Sequence, residues 1–160
     1  MPPTPKAEAP ETETRTALHT SATAFCDAFR TSTPPSELLT THFTHQHANI
    51  LVHEHGRPHP QLPFLGRPFR GAAGLHAYLD AVSSCLSHEG MQFTEYVVDA
   101  EGRKVAVRGE ARFTWRATGQ GWDEVFTYVL GFDRECRVER YEIWADTGAA
   151  LLASRGESVE

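Results

Sequence analysis

The chain has 160 residues, the size of one ordinary domain, and such a domain buries roughly 70 % of the surface that its unfolded chain exposes. Its composition is 40 % hydrophobic and 22 % charged, and it has no apolar run near the roughly 18 residues of a membrane span, which excludes a transmembrane protein. The net charge of −6 argues against nucleic acid or an anionic membrane as a partner.

The two ends of the chain are predicted to be tails. Residues 1–14 are rich in Pro, Thr, Glu and Ala, which predicts a disordered segment. Residues 156–160 form a second short tail, so a single domain is expected over 15–155. Neither end resembles a targeting or lipidation signal, and the three widely spaced cysteines fit a reducing compartment. A cytoplasmic location is therefore expected.

The first half of the chain is predicted to be mainly helical. In three segments the apolar residues recur every three or four positions, which is the period of an amphipathic helix. A β-branched run closed by Gly56 predicts one strand, and a proline-rich stretch predicts a loop whose aromatic residues fold back over the domain. The predicted elements are a helix over 16–30, a short helix after Pro34–Pro35, a strand over 49–55, a loop over 57–70 and a helix over 72–86.

The second half is predicted to be an antiparallel series of strands, because its apolar residues alternate with polar ones. The predicted strands are 91–100, 105–115, 122–132 and 138–145, and a short helix follows over 148–153. On the last strand, either Tyr141 and Ile143 or Glu142 and Trp144 face inward. The alternation by itself leaves that choice open.

This element order predicts an α+β fold in which three helices pack on a strongly curved, mixed but mostly antiparallel sheet. Helices on the concave face, together with the proline-rich loop, would enclose a pocket. A stripe of charged residues on the second long strand is interpreted as a solvated sheet face or a homodimer interface rather than an anion site. The stripe consists of Arg108, Glu110, Arg112 and Arg116.

Two segments carry a family resemblance. The strand Val138–Asp146 runs into Ala149–Leu152, and Gly66–Gly71 precedes the third predicted helix. With the element order, these segments resemble the cystatin-like cone of the nuclear-transport-factor-like superfamily. Ketosteroid isomerase, scytalone dehydratase, limonene epoxide hydrolase and the SnoaL-like polyketide cyclases belong to it. The resemblance covers about 16–153, implies the fold more than the chemistry, and favours Tyr141 as the inward residue.

The resemblance implies a set of catalytic residues. His53 lies where ketosteroid isomerase has its catalytic aspartate, and an imidazole with an ordinary pKa of about 6.5 suits a general base. Tyr128 lies where the isomerase stabilises an oxyanion, and Asp146 matches an acid/base aspartate of the SnoaL-like cyclases. His55 would orient the base or act as the acid. Phe25 replaces a hydrogen-bonding tyrosine of the isomerase, so ketosteroid isomerisation itself is not expected.

The leading hypothesis is a cofactor-free lyase or isomerase of the SnoaL-like or scytalone-dehydratase-like kind, with no metal. It would dehydrate, isomerise or cyclise a small, apolar, carbonyl-bearing biosynthetic intermediate of polyketide or terpenoid type by proton transfer. Aromatic side chains would wall the pocket and exclude water. The predicted wall consists of Phe25, Phe29, Phe64, Phe69, Tyr78, Phe93, Phe113, Trp115, Phe126 and Tyr141.

One alternative is a non-catalytic ligand-binding or protein-interaction domain of the same fold. It would be favoured if His53 and Tyr128 did not meet in one enclosed cavity. Asp146 has its own structural alternative, since an aspartate before Thr-Gly-Ala-Ala commonly caps a helix.

A metal-dependent enzyme is the less favoured alternative. It rests on the His-x-His pair of the first strand, which places two imidazoles on one face. The carboxylate that should follow the pair is missing, and Gln61 is the nearest polar candidate. The other histidines of this region, His42, His45, His47 and His59, are read mainly as solvated side chains.

Overall fold

The computed structural model describes residues 8–160 and has the α+β architecture that the sequence predicts. Within that range there are four α-helices, six strands and a single 3₁₀ turn at His47–Asn49. The helices are α1 (Glu8–Arg30), α2 (Pro35–His42), α3 (Gly71–Cys85) and α4 (Thr147–Ser154). The strands are β1 (Leu51–His55), β2 (Pro68–Arg70), β3 (Leu86–Asp99), β4 (Lys104–Trp115), β5 (Gly121–Phe132) and β6 (Val138–Trp144).

The six strands form one mixed, mostly antiparallel sheet in the order β2-β1-β6-β5-β4-β3. The pairing of β1 with β6 is parallel, and every other pairing is antiparallel. In the parallel pair Val52 lies opposite Tyr141, and Glu54 lies opposite Ile143. Two register shifts interrupt β3, where Glu95 has a positive φ of 58°, and such bulges bend a sheet.

Helix α1 packs against β3 and β4 and fixes one wall of the domain. Leu18, Ala22 and Phe25 recur on its inner face and are fully buried, as their spacing predicts. Arg137 joins the end of α2 to β6, since its guanidinium donates to the carbonyl oxygens of Phe43 and Thr40. The helices therefore cover the inner face of the sheet.

Two element boundaries differ clearly from the sequence prediction. Helix α1 begins at Glu8, inside the segment expected to be a tail, and the rest of that predicted tail lies outside the described residues. The Arg15 guanidinium donates to the carbonyl oxygen of Val98 at 2.7 Å, and this contact with the end of β3 stabilises the added turns. Strand β3 begins at Leu86 rather than at residue 91, because the chain leaves α3 directly in an extended conformation.

The segment predicted as a loop contains strand β2, which pairs with β1. The rest of the segment folds back over the sheet, as predicted, and buries Leu62, Phe64 and Leu65. Gly66 has a φ of +77°, and a Cβ there would lie 2.5 Å from the carbonyl oxygen of Gly56. Only glycine fits that close approach, which brings the loop against β1.

Candidate active site

The helices, the loop before β2 and the concave face of the sheet enclose a cavity of about 400 Å³. Its lining is mainly apolar, which suits a small organic molecule rather than a highly charged one. Six of the predicted wall residues line it, and they come from α1, the loop, α3 and the three central strands. They are Phe29, Phe64, Tyr78, Phe113, Phe126 and Tyr141.

The other four predicted wall residues do not line the cavity and lie in the surrounding core. Phe25 is fully buried among other rings, with its centroid 5.2 Å from that of Tyr141. Phe93 packs against Phe126, and Phe69 packs against Tyr78. The fourth, Trp115, is buried at the end of β4. Phe25, Phe69 and Trp115 are buried and Phe93 is partly buried, so these four residues pack behind the wall instead of forming it.

His53 and His55 lie on the outer face of the sheet, so the predicted general base does not reach the cavity. Their rings stack with centroids 4.1 Å apart, and His55 also stacks on Trp144 at 4.2 Å. The His55 Nε2 lies 2.9 Å from Oε1 of Glu142. The reason is the alternation of β1, since the fully buried Val52 points inward and its neighbours must point outward.

Glu54 occupies the inward position between the two histidines. Its side chain lines the cavity, the residue is 7 % exposed, and the Tyr78 hydroxyl donates to its Oε1 at 2.7 Å. Burial raises the pKa of Glu54 to about 7, the Tyr78 hydrogen bond opposes the rise, and the charge of Glu124 adds to it. The carboxyl can therefore exchange a proton near neutral pH.

Two further phenols lie at the same end of the cavity as Glu54. Tyr128 and Tyr141 both line it, with ring centroids 4.9 Å apart, and Tyr141 lies 6.0 Å from Tyr78. Burial raises the pKa of Tyr128, and the hydroxyl of Tyr141 opposes that rise. Tyr128 is therefore a neutral hydrogen-bond donor inside the cavity, the position that the sequence predicts for it.

A second carboxyl, that of Glu124, lines the cavity from β5. The Trp122 indole Nε1 donates to its Oε1 at 3.0 Å. Burial raises the pKa of Glu124 to about 7, against the Trp122 hydrogen bond and the backbone N–H of Asp146. The cavity thus has two carboxyls that titrate near neutral pH.

Asp146 lies at the rim of the cavity and caps helix α4. Its side chain accepts from the backbone N–H of Ala149 at 3.0 Å, and the residue is exposed. This geometry matches the structural alternative that the sequence left open, so the proximity of Asp146 to the cavity needs no catalytic explanation.

One residue of the predicted charged stripe was assigned to the wrong surface. Arg108, Glu110 and Arg112 lie on β4, whereas Arg116 follows the end of that strand and lines the rim of the cavity. Its Nε donates to the carbonyl oxygens of Ser83 and Leu86 at 2.7 and 3.1 Å. Arg116 therefore caps the end of α3 instead of continuing the sheet stripe.

The sequence prediction missed both Glu54 and Glu124, although a signal for Glu124 was present. Glu124 shares the parity of the apolar Trp122 and Phe126, whereas the continuous apolar run 50–52 leaves the parity of Glu54 open. A carboxylate on the apolar parity of a strand must be buried or lie in a cavity. His53 and Tyr128 do not meet in one cavity, and the sequence prediction took such a separation to favour a non-catalytic binding domain. Glu54 lies in the cavity instead and supplies the titratable group that His53 was expected to supply.

The described part of the chain offers no evident metal centre. Among residues 8–160, no group of three or more His, Cys, Asp or Glu side chains is arranged to hold a metal ion. The His-x-His pair faces the outer surface, with Glu142 beside it. In the same range, no helix is both long enough and apolar enough to cross a membrane.

No protein-family model matches the chain, and no curated protein sequence matches it. Solved structures do match over most of its length. An NTF2-like protein of unknown function from Burkholderia pseudomallei is 17 % identical, with a TM-score of 0.69, over 86 % of this chain and 96 % of its own. TerC, co-crystallised with polyporic acid, is 19 % identical, with a TM-score of 0.68, over 87 % and 98 %.

BvnE pinacolase from Penicillium brevicompactum is 16 % identical, with a TM-score of 0.60, over 84 % of this chain and 86 % of its own. Proteins named as SnoaL-like polyketide cyclases and as isomerases also match. At these identities the likeness shows the fold alone. The cone-shaped, NTF2-like fold predicted from the sequence is confirmed.

Proposed function

We propose that this chain, which has the NTF2-like fold, is an enzyme that moves a proton on a small, apolar, carbonyl-bearing molecule without a resident cofactor. The reaction class is isomerisation, dehydration or cyclisation. The observation that carries the proposal is the Glu54 carboxyl, which lies in an apolar cavity and is hydrogen-bonded by Tyr78 at 2.7 Å.

Glu54 has the properties of a general acid–base group. A base works best when its pKa lies near the working pH, and burial raises the pKa of Glu54 to about 7. The Tyr78 hydroxyl fixes one carboxylate oxygen, which leaves the other free to accept a proton from substrate. The surrounding apolar lining excludes water and strengthens each polar contact inside the cavity.

The proposed mechanism is a proton transfer through an enolate. The ionised carboxylate of Glu54 takes a proton from the carbon beside the substrate carbonyl. The C–H electron pair forms a carbon–carbon double bond, and the π pair of the carbonyl moves onto its oxygen. The hydroxyl of Tyr128 or Tyr141 donates to that oxygen and stabilises its charge. In an isomerisation, Glu54 then returns the proton to another carbon. In a dehydration, the enolate re-forms the carbonyl and expels a β-hydroxyl group, which takes the proton from Glu54 and leaves as water.

The structural neighbours support a small-molecule substrate. TerC was crystallised with polyporic acid, and BvnE is named a pinacolase. Other matching proteins are named as polyketide cyclases and isomerases. These activities belong to other proteins, and they favour an organic intermediate as the substrate class for this chain.

The proposal is tested with 2-indanone, a compact ketone whose α-protons are acidic. In D₂O, catalysed deuterium uptake at the α-carbons is followed by ¹H NMR, and its rate should rise with pH through about 7 as Glu54 ionises. Glu54→Gln should lower the rate by about 10² to 10⁴. Glu142→Gln, a matched change on the outer face of the neighbouring strand, should leave it within about twofold. Equal rates for the wild type and Glu54→Gln would reject the proposal.

A non-catalytic ligand-binding domain is the second candidate, favoured by the mainly apolar lining of the cavity. The same experiment separates the two functions. If 2-indanone binds, as seen by ligand-observed NMR, but the wild type causes no deuterium uptake beyond buffer, the cavity binds without catalysing proton transfer.

A further inference from the structure

The cavity has a second polar end, formed by Glu124. This side chain projects from β5 on the same face as Phe126 and Tyr128, and the Trp122 indole holds its Oε1 at 3.0 Å. The residue is half-buried, so its carboxyl is reachable from the cavity. The mechanism proposed above makes no use of it.

The two carboxyls lie on different strands of the sheet, although the charge of Glu124 still raises the pKa of Glu54. Strand β6 lies between β1 and β5, and its Ile143 pairs with both Glu54 and Tyr128, so these three residues form one row. Glu124 lies four residues before Tyr128 along β5. Strand spacing and rise place the Glu54 and Glu124 Cα atoms about 16 Å apart on a flat sheet, and closer on a curved one.

The space between the two carboxyls is apolar. Phe126 lines the cavity between Glu124 and Tyr128 along β5, and Ile143 lines it between Tyr128 and Glu54 across the sheet. A ligand that satisfies both ends must therefore be elongated, with polar groups at its ends and a hydrocarbon body between them. A cavity of about 400 Å³ accommodates such a molecule.

We propose that the substrate is an elongated, largely apolar carbonyl compound with a hydroxyl group at the end remote from the carbonyl, and that Glu124 is the specificity residue that binds this hydroxyl. The orientation, with the carbonyl beside Glu54, rests on the proposed function. Glu124 does not take part in the proton transfer itself.

The chemistry of the outer end favours a hydroxyl over an anion. Asp146 adds negative charge near Glu124, which would repel a carboxylate or phosphate, and the nearby Arg116 already donates to two backbone carbonyls. A hydroxyl donates to an ionised carboxylate and accepts from a protonated one. It therefore binds in either protonation state of Glu124, whose pKa lies at about 7.

The test uses two ketones that differ only at the remote end, 4-phenylbutan-2-one and 4-(4-hydroxyphenyl)butan-2-one. Their dissociation constants are measured by calorimetry. In the wild type the hydroxyl compound should bind about tenfold more tightly, as expected for a hydrogen bond to a charged group. Glu124→Leu should abolish that preference, so that the two ketones bind about equally. Glu124→Gln keeps a neutral acceptor and should retain only part of the preference.

The outcomes are distinct from those of the proton-transfer test. Deuterium uptake by 2-indanone in the wild type tests the proton transfer alone, since that ketone has no remote hydroxyl for Glu124 to bind. If the leucine variant does not fold, Glu124→Ala replaces it. An unchanged hydroxyl preference in the apolar variant, or no preference in the wild type, overturns the inference. Loss of deuterium uptake with an intact preference would instead remove the proposed function.

Discussion

The raised pKa of Glu54 makes the proton-transfer residue a source of instability at alkaline pH. In the unfolded chain this carboxyl has an ordinary pKa of 4.5, and burial raises the folded value to about 7. The folded state therefore holds the proton more tightly than the unfolded state does. The contribution of Glu54 to stability is most favourable below pH 4.5, and it is lost as the pH rises through about 7.

The size of the effect follows from that difference. One pKa unit corresponds to about 1.4 kcal/mol, so ionising Glu54 costs the folded state about 3 kcal/mol at pH 8 and above. Glu54→Gln removes the charge and keeps an acceptor for the Tyr78 hydroxyl. We expect the variant to be about 3 kcal/mol more stable than the wild type at pH 8, which is about 6–12 °C in Tm for a domain of this size. At pH 4 the two proteins should unfold at nearly the same temperature.

The measurement is thermal unfolding by circular dichroism at intervals between pH 4 and pH 8. Glu101→Gln is the control, because it is the same substitution at an exposed position in the hairpin between β3 and β4. A Glu54→Gln difference that stays constant across this range, or a variant less stable than the wild type at pH 8, would refute the assignment of a buried carboxyl that titrates near neutral pH.

Three further predictions concern single positions. His53→Ala should leave the uptake of deuterium by 2-indanone within about threefold of the wild type, because the imidazole lies outside the cavity. Asp146→Ala should lower the free energy of unfolding by about 1 kcal/mol in chemical denaturation, because it removes the cap on the Ala149 N–H. Its activity should stay within about threefold of the wild type. Gly109→Ala should lower the free energy of unfolding by about 1–3 kcal/mol in the same assay, because a Cβ there would lie 2.2 Å from the Phe126 ring. An unaltered denaturation midpoint would contradict this packing.

The fold was largely predictable because its strands carry strong alternation. On β4, Val105, Val107 and Ala111 are buried while Arg108 and Glu110 are exposed, so the pattern identifies both the strand and its inner face. The family resemblance favoured Tyr141 over Glu142 as the inward residue of β6, and the structure places Tyr141 in the cavity.

The candidate site was less predictable because β1 is ambiguous. Ile50, Leu51 and Val52 are all apolar, so the alternation does not say which neighbour points inward. The choice is made by tertiary pairing, since Val52 lies opposite Tyr141 across the parallel ladder. A one-residue difference in parity exchanges His53 for Glu54 in the cavity, and with it the identity of the acid–base group.

The parallel pairing of β1 with β6 also bears on the order in which the protein folds. Leu51 pairs with Arg140, so about 90 residues must be closed into a loop before this ladder forms, whereas β3, β4 and β5 are joined by short turns. Local contacts form faster than distant ones, so we expect the β3–β5 meander to assemble first. In pulse-labelling hydrogen exchange, the amides of β4 should gain protection before those of β1. The cavity acquires Glu54 only in the last step, so partly folded chains would have most of the sheet but no acid–base group.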